Sequence, residues 1–261
     1  MATYFGEIQE LVSRATDFDD LDDQPTYNLT AETSKNYSAN FKCDSLIFCI
    51  GDIAKWFSSC YLISDNAQHI LNVNYSSESI KDNSLLYGGN TKTNNKASAA
   101  SLYYVKPDVA VCEIPFNVPE TIYTELLQLI LQHVQCSNAI VLASAPSATL
   151  KGDSVSNSDE CNLMCLTTSA FDPPENFNLP RIPSPNFVSG IPAAVLTEFE
   201  IQKKPAICVV SYIESNIIDY ASVQSFENVA SLVPVRKIMN KDCKQKLLNY
   251  INKHSYSNLY I

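Results

Sequence analysis

Short apolar runs alternate along this chain with stretches of helical periodicity, and that alternation narrows the fold more than any other feature. Residues 45–51, SLIFCIG, are apolar almost throughout and end in glycine. A strand with one wet face alternates, whereas a continuous apolar run is buried on both faces. DIAKWFSSCYL follows at once, with Ile53, Trp56, Phe57 and Cys60 on one helical face and Asp52 placed to cap its start. SLYYV (101–105) and VAVCEI (109–114) read as two short strands. A helix is expected from Pro119, because Ile122, Leu126, Ile130 and Val134 recur every fourth residue beside Tyr123, Leu127 and Leu131. NAIVLAS (138–144) and CNLMCLTT (161–168) read as strands, and residues 172–192, with six prolines, as an irregular connection. IPAAVLTEFEIQK (191–203) is helical with Pro192 in its first turn, and PAICVVSYI (205–213) is a β-branched central strand. Val223, Phe226, Ala230 and Val233 mark another helix, and Asn240 caps a last one carrying Cys243, Leu247 and Ile251. Strands interleaved with helices favour an α/β domain with a mostly parallel sheet, helices on both faces, over residues 41–254. Before it, residues 7–32 hold eight acidic residues and one arginine, the composition of a solvated acidic extension assigned to residues 1–40.

Counting removes several function classes. The glycines are Gly6, Gly51, Gly88, Gly89, Gly152 and Gly190, and none has the G-x-G or G-x-x-x-x-G spacing that cradles phosphate. The formal net charge of −10 argues against a nucleic-acid partner, whose backbone demands clustered Lys and Arg. No apolar stretch approaches the ~20 residues of a membrane span, and the first residues lack the basic and apolar regions of a secretory signal. The nine cysteines are an odd number set in apolar runs, as in a reduced intracellular chain. Cys161 and Cys165 lack the second close pair a zinc site needs, so neither metal nor cofactor is expected. His133 falls at the edge of an apolar helix face, His69 in a strand or loop, and His254 in a polar run. With no G-x-S-x-G and no H-E-x-x-H, no residue is assigned a catalytic role.

The end of the chain carries more chemistry. Leu259 is apolar, Tyr260 is aromatic with a polar tip, and Ile261 bears the free carboxylate, behind a polar lead. Such a tripeptide suits a socket with an apolar wall, a partner for the hydroxyl and a cation for the carboxylate. This ending, together with MATYFGEI, CDSLIFCIGDIAKWFSS (43–59, with its paired serines), GIPAAVLTEFEIQKKPAICVVSY (190–212) and SNLYI, resembles the proteasome assembly chaperone 1 family. Residues 65–185 do not carry the resemblance.

The resemblance implies a non-enzymatic chaperone that pairs with a homologous second subunit, proteasome assembly chaperone 2. The pair would bind the outer face of the α-subunit ring of the 20S proteasome, in the cytoplasm and also the nucleus. The implied fold is a single Rossmann-like or phosphorylase-like three-layer domain without a working active site. Residues 255–261 would form a docking tail, with Leu259, Tyr260 and Ile261 entering a pocket between α subunits. Two other readings stand beside it: a phosphorylase- or hydrolase-type enzyme on the same sheet, and a scaffold in which the tail is ornamental. Charge is unevenly placed in either case: from Arg236 onward six basic residues face one acid, Asp242, so an acidic head opposes a basic end.

Overall fold

The computed structural model describes residues 26–34, 41–78, 96–106, 108–151, 162–175, 177–214, 219–240 and 247–248. The strands are β1 (Thr26–Thr33), β2 (Phe41–Ile50), β3 (Gln68–Glu78), β4 (Ala97–Lys106), β5 (Val109–Ile114), β6 (Val134–Pro146), β7 (Asn162–Thr167) and β8 (Ala206–Ile213). They form one eight-stranded sheet in the order β1-β3-β4-β5-β2-β6-β8-β7. Its centre, β5-β2-β6-β8, is parallel. The remaining four pairings, β1-β3, β3-β4, β4-β5 and β7-β8, are antiparallel.

The expected mostly parallel, Rossmann-like sheet is therefore corrected to a mixed one. The cause lies in the connections. Parallel neighbours need a crossover of a dozen residues or so, whereas antiparallel neighbours need only a turn. Lys106 and Val109 are separated by two residues and sit opposite each other in the β4–β5 ladder, so this connection can only be a hairpin. The start of the sheet is corrected as well. Thr26–Thr33, grouped with the acidic extension by its charge, is an ordered edge strand. Its alternation places Tyr27, Leu29 and Ala31 against the core while Asn28, Thr30 and Glu32 face solvent. PAICVVSYI is interior and buried almost throughout, but it is the second strand from the edge instead of the centre.

Helices cover both faces of the parallel strands, as expected. On one face α2 (Tyr123–His133) and α3 (Gly190–Ile201) bring Leu126, Leu127, Ile130, Val195, Leu196 and Phe199 down onto Leu46, Phe48, Val141 and Cys208. On the other lie α1 (Asp52–Phe57), the π-helical turn Ser58–Leu62, α4 (Tyr220–Gln224), a 3-10 segment (Ser225–Ser231) and α5 (Val233–Ile238). The single helix expected around Val223 and Phe226 is thus broken in three. Val223, Phe226, Val229, Leu232, Val235 and Ile238 are all buried at a spacing of three. That period matches a 3-10 helix, with three residues per turn, better than an α-helix with 3.6. Ala230 and Val233, expected on the apolar face, are half-buried and exposed.

The start of α1 also differs from expectation. Gly51 takes the N-cap position with φ 84, and Asp52 makes no capping bond. A positive φ at the turn from β2 into α1 is the conformation glycine adopts without steric penalty. Of the last expected helix, Leu247 is fully buried in the second core cluster, whereas Cys243 and Ile251 lie outside the described residues.

Candidate docking surface

In an open α/β sheet a ligand crevice forms at the carboxyl ends of the strands. Here that position on the α1 side is filled. Glu113, the penultimate residue of β5, is opposite Cys49 on β2 and Ser101 on β4. It is only 5% exposed. Its carboxyl accepts a hydrogen bond from Ser58 Oγ and a second, at 3.0 Å, from Ser59 Oγ. The π turn places both serines over β5, so the paired serines of the sequence serve one buried carboxyl. Burial first, and Glu113 second, push the Cys49 thiol and the Tyr103 hydroxyl upward. The histidines do not converge on this cluster. His133 Nδ1 lies 2.9 Å from Leu129 O at the end of α2, and His69 is exposed with its ring 5.3 Å from that of Tyr103. His254 lies outside the described residues.

The opposite, amino edge is open. A cleft of about 540 Å³ lies there, rimmed by Lys42 and Asp44 of β2, Gln135 and Ser137 of β6, and Lys204 just before β8. Its floor holds Cys43 and Cys136, register partners on neighbouring parallel strands. Burial, with Cys136 as the second cause, pushes Cys43 up to about 12, and burial pushes Cys136 up to about 11 against the pull of Lys204. These thiols are protonated and structural.

Lys204 is positioned by the end of α3. Lys204 N donates to Phe199 O at 2.9 Å and Lys203 N to Glu200 O at 3.0 Å, the paired bonds of a Schellman motif. The residue that reverses the chain there is Lys203, at φ 53. Glycine fills this position without cost; a residue with a Cβ loses about 1–2 kcal/mol. The neighbouring carboxyls are occupied: Glu200 accepts from Ser169 N and Oγ, and Glu198 from Gln202 Nε2.

The carboxy-terminal part of the chain is tied to the same edge. Lys237 of α5 pairs with Asp108 in the β4–β5 hairpin, and Lys106 Nζ donates to Lys237 O. Asn240 N donates to Tyr61 O at 2.8 Å. Leu259, Tyr260 and Ile261, the expected docking residues, lie outside the described residues. Their last described anchor is Leu247, and the chain beyond it can reach about 50 Å at full extension. The cleft and the Glu113 cluster were not read from the sequence. Their residues come from strands far apart in the chain, and only the paired serines and the Lys203-Lys204 pair gave any local sign.

Among the described residues no helix is long and apolar enough to cross a membrane, and no His, Cys, Asp and Glu cluster could hold a metal ion. Solved structures share the fold. Pyrococcus furiosus PbaA, an archaeal homolog of proteasome-assembly chaperone, superposes with a TM-score of 0.57 at 13% identity over 90% of each chain. Pyrococcus furiosus PbaB, an archaeal proteasome activator, does so with 0.55 at 11% identity over 88% of this chain and 96% of its own. In sequence the chain is 25% identical to proteasome assembly chaperone 1 of Xenopus tropicalis over the full length of both. It is 24% identical to that of Nematostella vectensis over 77% of this chain and 79% of the relative. A family model described as proteasome assembly chaperone 4 matches residues 24–261, from just before β1 to the last residue. The chain belongs to the proteasome assembly chaperone family.

Proposed function

We propose that this chain is a non-enzymatic chaperone of 20S proteasome core assembly. It pairs with a homologous second subunit, proteasome assembly chaperone 2, and the pair binds the outer face of the α-subunit ring in the cytoplasm or nucleus. Its Leu259-Tyr260-Ile261 tail docks in a pocket between α subunits. The observation that carries this reading is a family match that spans residues 24–261 and so takes in the α/β body.

The roles of the tail follow from its chemistry. Ile261 offers the carboxylate to a pocket lysine, Tyr260 offers ring area and a hydroxyl, and Leu259 fills an apolar mouth. Burial of that one leucine is worth about 1.5–3 kcal/mol, less the cost of ordering the tail. One tail alone therefore binds weakly, and body contacts or a second tail supply avidity. The filled carboxyl end around Glu113 supports the non-enzymatic reading over a phosphorylase or hydrolase, since the carboxyl there already serves two serines.

The test is mass spectrometry of what co-purifies with the protein carrying its native, untagged carboxyl terminus. Proteasome α subunits and the second chaperone are expected. Deletion of Ile261, or Tyr260→Ala, is expected to weaken capture of α subunits and leave pairing with the second chaperone intact. Undiminished capture by the truncated protein would refute tail docking, and absence of α subunits from the wild-type sample would refute the assembly role.

A further inference from the structure

We propose that the outer edge of β1 docks an extended segment of a partner protein as a ninth strand of the sheet, one with apolar residues at alternate positions and basic residues at its flanks. The partner's identity rests on the assembly reading above, whereas the chemistry of the edge does not. The ladder fixes which groups are on offer. Ser34 N donates to Ile70 O at 2.8 Å, and this pair continues the β1–β3 register one step past Thr33 and Leu71. In an antiparallel ladder such bonded pairs alternate with residues whose N–H and C=O point away from the partner strand. Asn28, Thr30 and Glu32 therefore bond to β3, and Tyr27, Leu29, Ala31 and Thr33 turn their N–H and C=O outward. Among the described residues no strand or backbone group meets that outward row. Sheets blunt an edge with proline, a bulge, an inward charge or a covering segment. β1 has no proline, its register with β3 is unshifted over all eight residues, and its one charge, Glu32, is exposed and paired with Lys96. The opposite edge is treated differently. Outside β7, Cys165 N donates to Pro180 O at 2.8 Å and Ile182 N to Cys165 O at 2.9 Å, so the chain's own 180–182 segment lies along it.

Hydrogen bonding selects an extended polypeptide, because only a strand matches a row of alternating donors and acceptors. Side chains select its pattern. Tyr27, Leu29 and Ala31 pack half-buried against the core on the α2 side, so the incoming strand needs apolar residues on that face and polar ones on the face of Asn28, Thr30 and Glu32. Charge selects its flanks. Residues 15–25 hold five aspartates and no basic residue, and Asp22 and Asp23 lie within about 14 Å of Thr26 along the chain. A partner with lysines or arginines beside its strand is drawn to that end. A second copy of this chain fits less well. Laid antiparallel it brings only Lys35 there, laid parallel it brings five more aspartates, and each copy carries a net charge of −10.

The experiment is site-resolved amide hydrogen exchange by NMR on the full-length, untagged protein, with and without a peptide of alternating threonine and valine that carries two lysines at each end. In the free protein the amides of Tyr27, Leu29, Ala31 and Thr33 should exchange fast and those of Asn28, Thr30 and Glu32 slowly. The peptide should slow the first set about tenfold or more. The same peptide with glutamate in place of lysine should bind about tenfold more weakly at low salt, and the gap should narrow as salt rises. Ala31→Pro removes one outward N–H and none of the bonds to β3, so it should weaken peptide binding about tenfold. Methylating every backbone nitrogen of the peptide's central residues removes its donors without altering the protein, and should abolish the protection. The proposal is overturned if the lysine peptide leaves the four amides unprotected, if the methylated peptide protects them equally, or if the lysine and glutamate peptides bind alike. It is overturned too if the four amides are protected before any peptide is added. Protection that rises with protein concentration would assign the edge to a second copy, and protection lost on removing residues 1–25 would assign it to that segment. Capture of α subunits, measured on the same protein, separates the two readings. Capture without peptide protection removes the docking edge and keeps the assembly role. Peptide protection without capture does the reverse.

Discussion

Removing the hydroxyls that serve Glu113 should cost far more than removing the carboxyl along with them. Ser58 is fully buried and Glu113 is 5% exposed. Ser58 Oγ and Ser59 Oγ both donate to the same carboxyl oxygen. A hydrogen bond to a charged group contributes about 1.5–3 kcal/mol, so Ser58→Ala alone should cost about 2 kcal/mol. Ser58→Ala with Ser59→Ala leaves the carboxyl among Cys49, Val111 and Tyr103 with neither donor, and about 3–5 kcal/mol is expected. Replacing all three at once, Glu113→Met with both alanines, removes the polar demand and nearly keeps the volume. Apolar replacement of every member of a buried polar set is close to neutral or stabilising, so the triple variant should return to within about 1 kcal/mol of wild type. The assay is equilibrium urea unfolding of the full-length protein, read as a change in midpoint at constant slope. A double variant that loses less than about 1 kcal/mol would show that the carboxyl has another partner. A triple variant as unstable as the double would show that the cluster holds the π turn by shape instead of by hydrogen bonding. Either result refutes the reasoning.

Residues added beyond Ile261 should weaken capture of α subunits as deletion does, because they displace the carboxylate; a harmless carboxy-terminal tag in a pull-down would count against docking. Phe226 is fully buried, with its ring 5.6 Å from that of Phe57. Phe226→Ala should cost about 3–5 kcal/mol in thermal or urea unfolding, and a loss below 1 would mean that α1 and the 3-10 segment do not share a core. Burial pushes Cys208 up to about 12, with Cys165 as the second cause. At mildly alkaline pH Cys208 and Cys43 should resist a thiol reagent in the native protein and react on unfolding, and rapid native labelling of either would contradict their burial. Asp108 is held below the usual carboxylate range, chiefly by its hydrogen bond from Lys237. A depressed folded value stabilises above the unfolded value and is lost as pH falls through the folded one. Lys237→Ala should therefore make stability less dependent on pH in the acid range, and an unchanged slope would show that the pair contributes nothing.

Legibility differed between the centre of the sheet and its margins. β2, β5, β6 and β8 are buried on both faces, so burial left a dense apolar signature. α2 and α3 showed theirs because each lays a stripe on that sheet. The antiparallel margin was misread for a physical reason. β1 is half-wet, and its alternation through Tyr27, Leu29 and Ala31 is diluted by the acidic residues around it. The hairpin between Lys106 and Val109 was available from spacing alone, since two residues leave no room for a crossover helix. The period of three from Val223 to Ile238 was likewise on the surface of the sequence, but near 3.6 it passes for a helix with an irregular face. The tail could be proposed from the sequence because it is contiguous. The cleft and the Glu113 cluster could not, because tertiary pairing alone brings Lys42 to Lys204 and Glu113 to Ser58.

The two ends of the parallel strands differ in what they leave open. An α/β enzyme keeps the carboxyl ends open for a ligand and reserves the amino ends for stability. Here the carboxyl end of β5 is closed on the α1 side by a buried carboxyl and a π turn, whereas the amino end carries an open cleft. The cleft, Lys203 and the Lys237–Asp108 tie lie there. That arrangement suits a protein whose ligand is a large surface. A macromolecular partner needs separated charges and a tethered anchor on one side of the body, not an enclosed pocket. Under the proposed assembly role no open crevice at the carboxyl ends is required, and the closed cluster around Glu113 agrees with that reading.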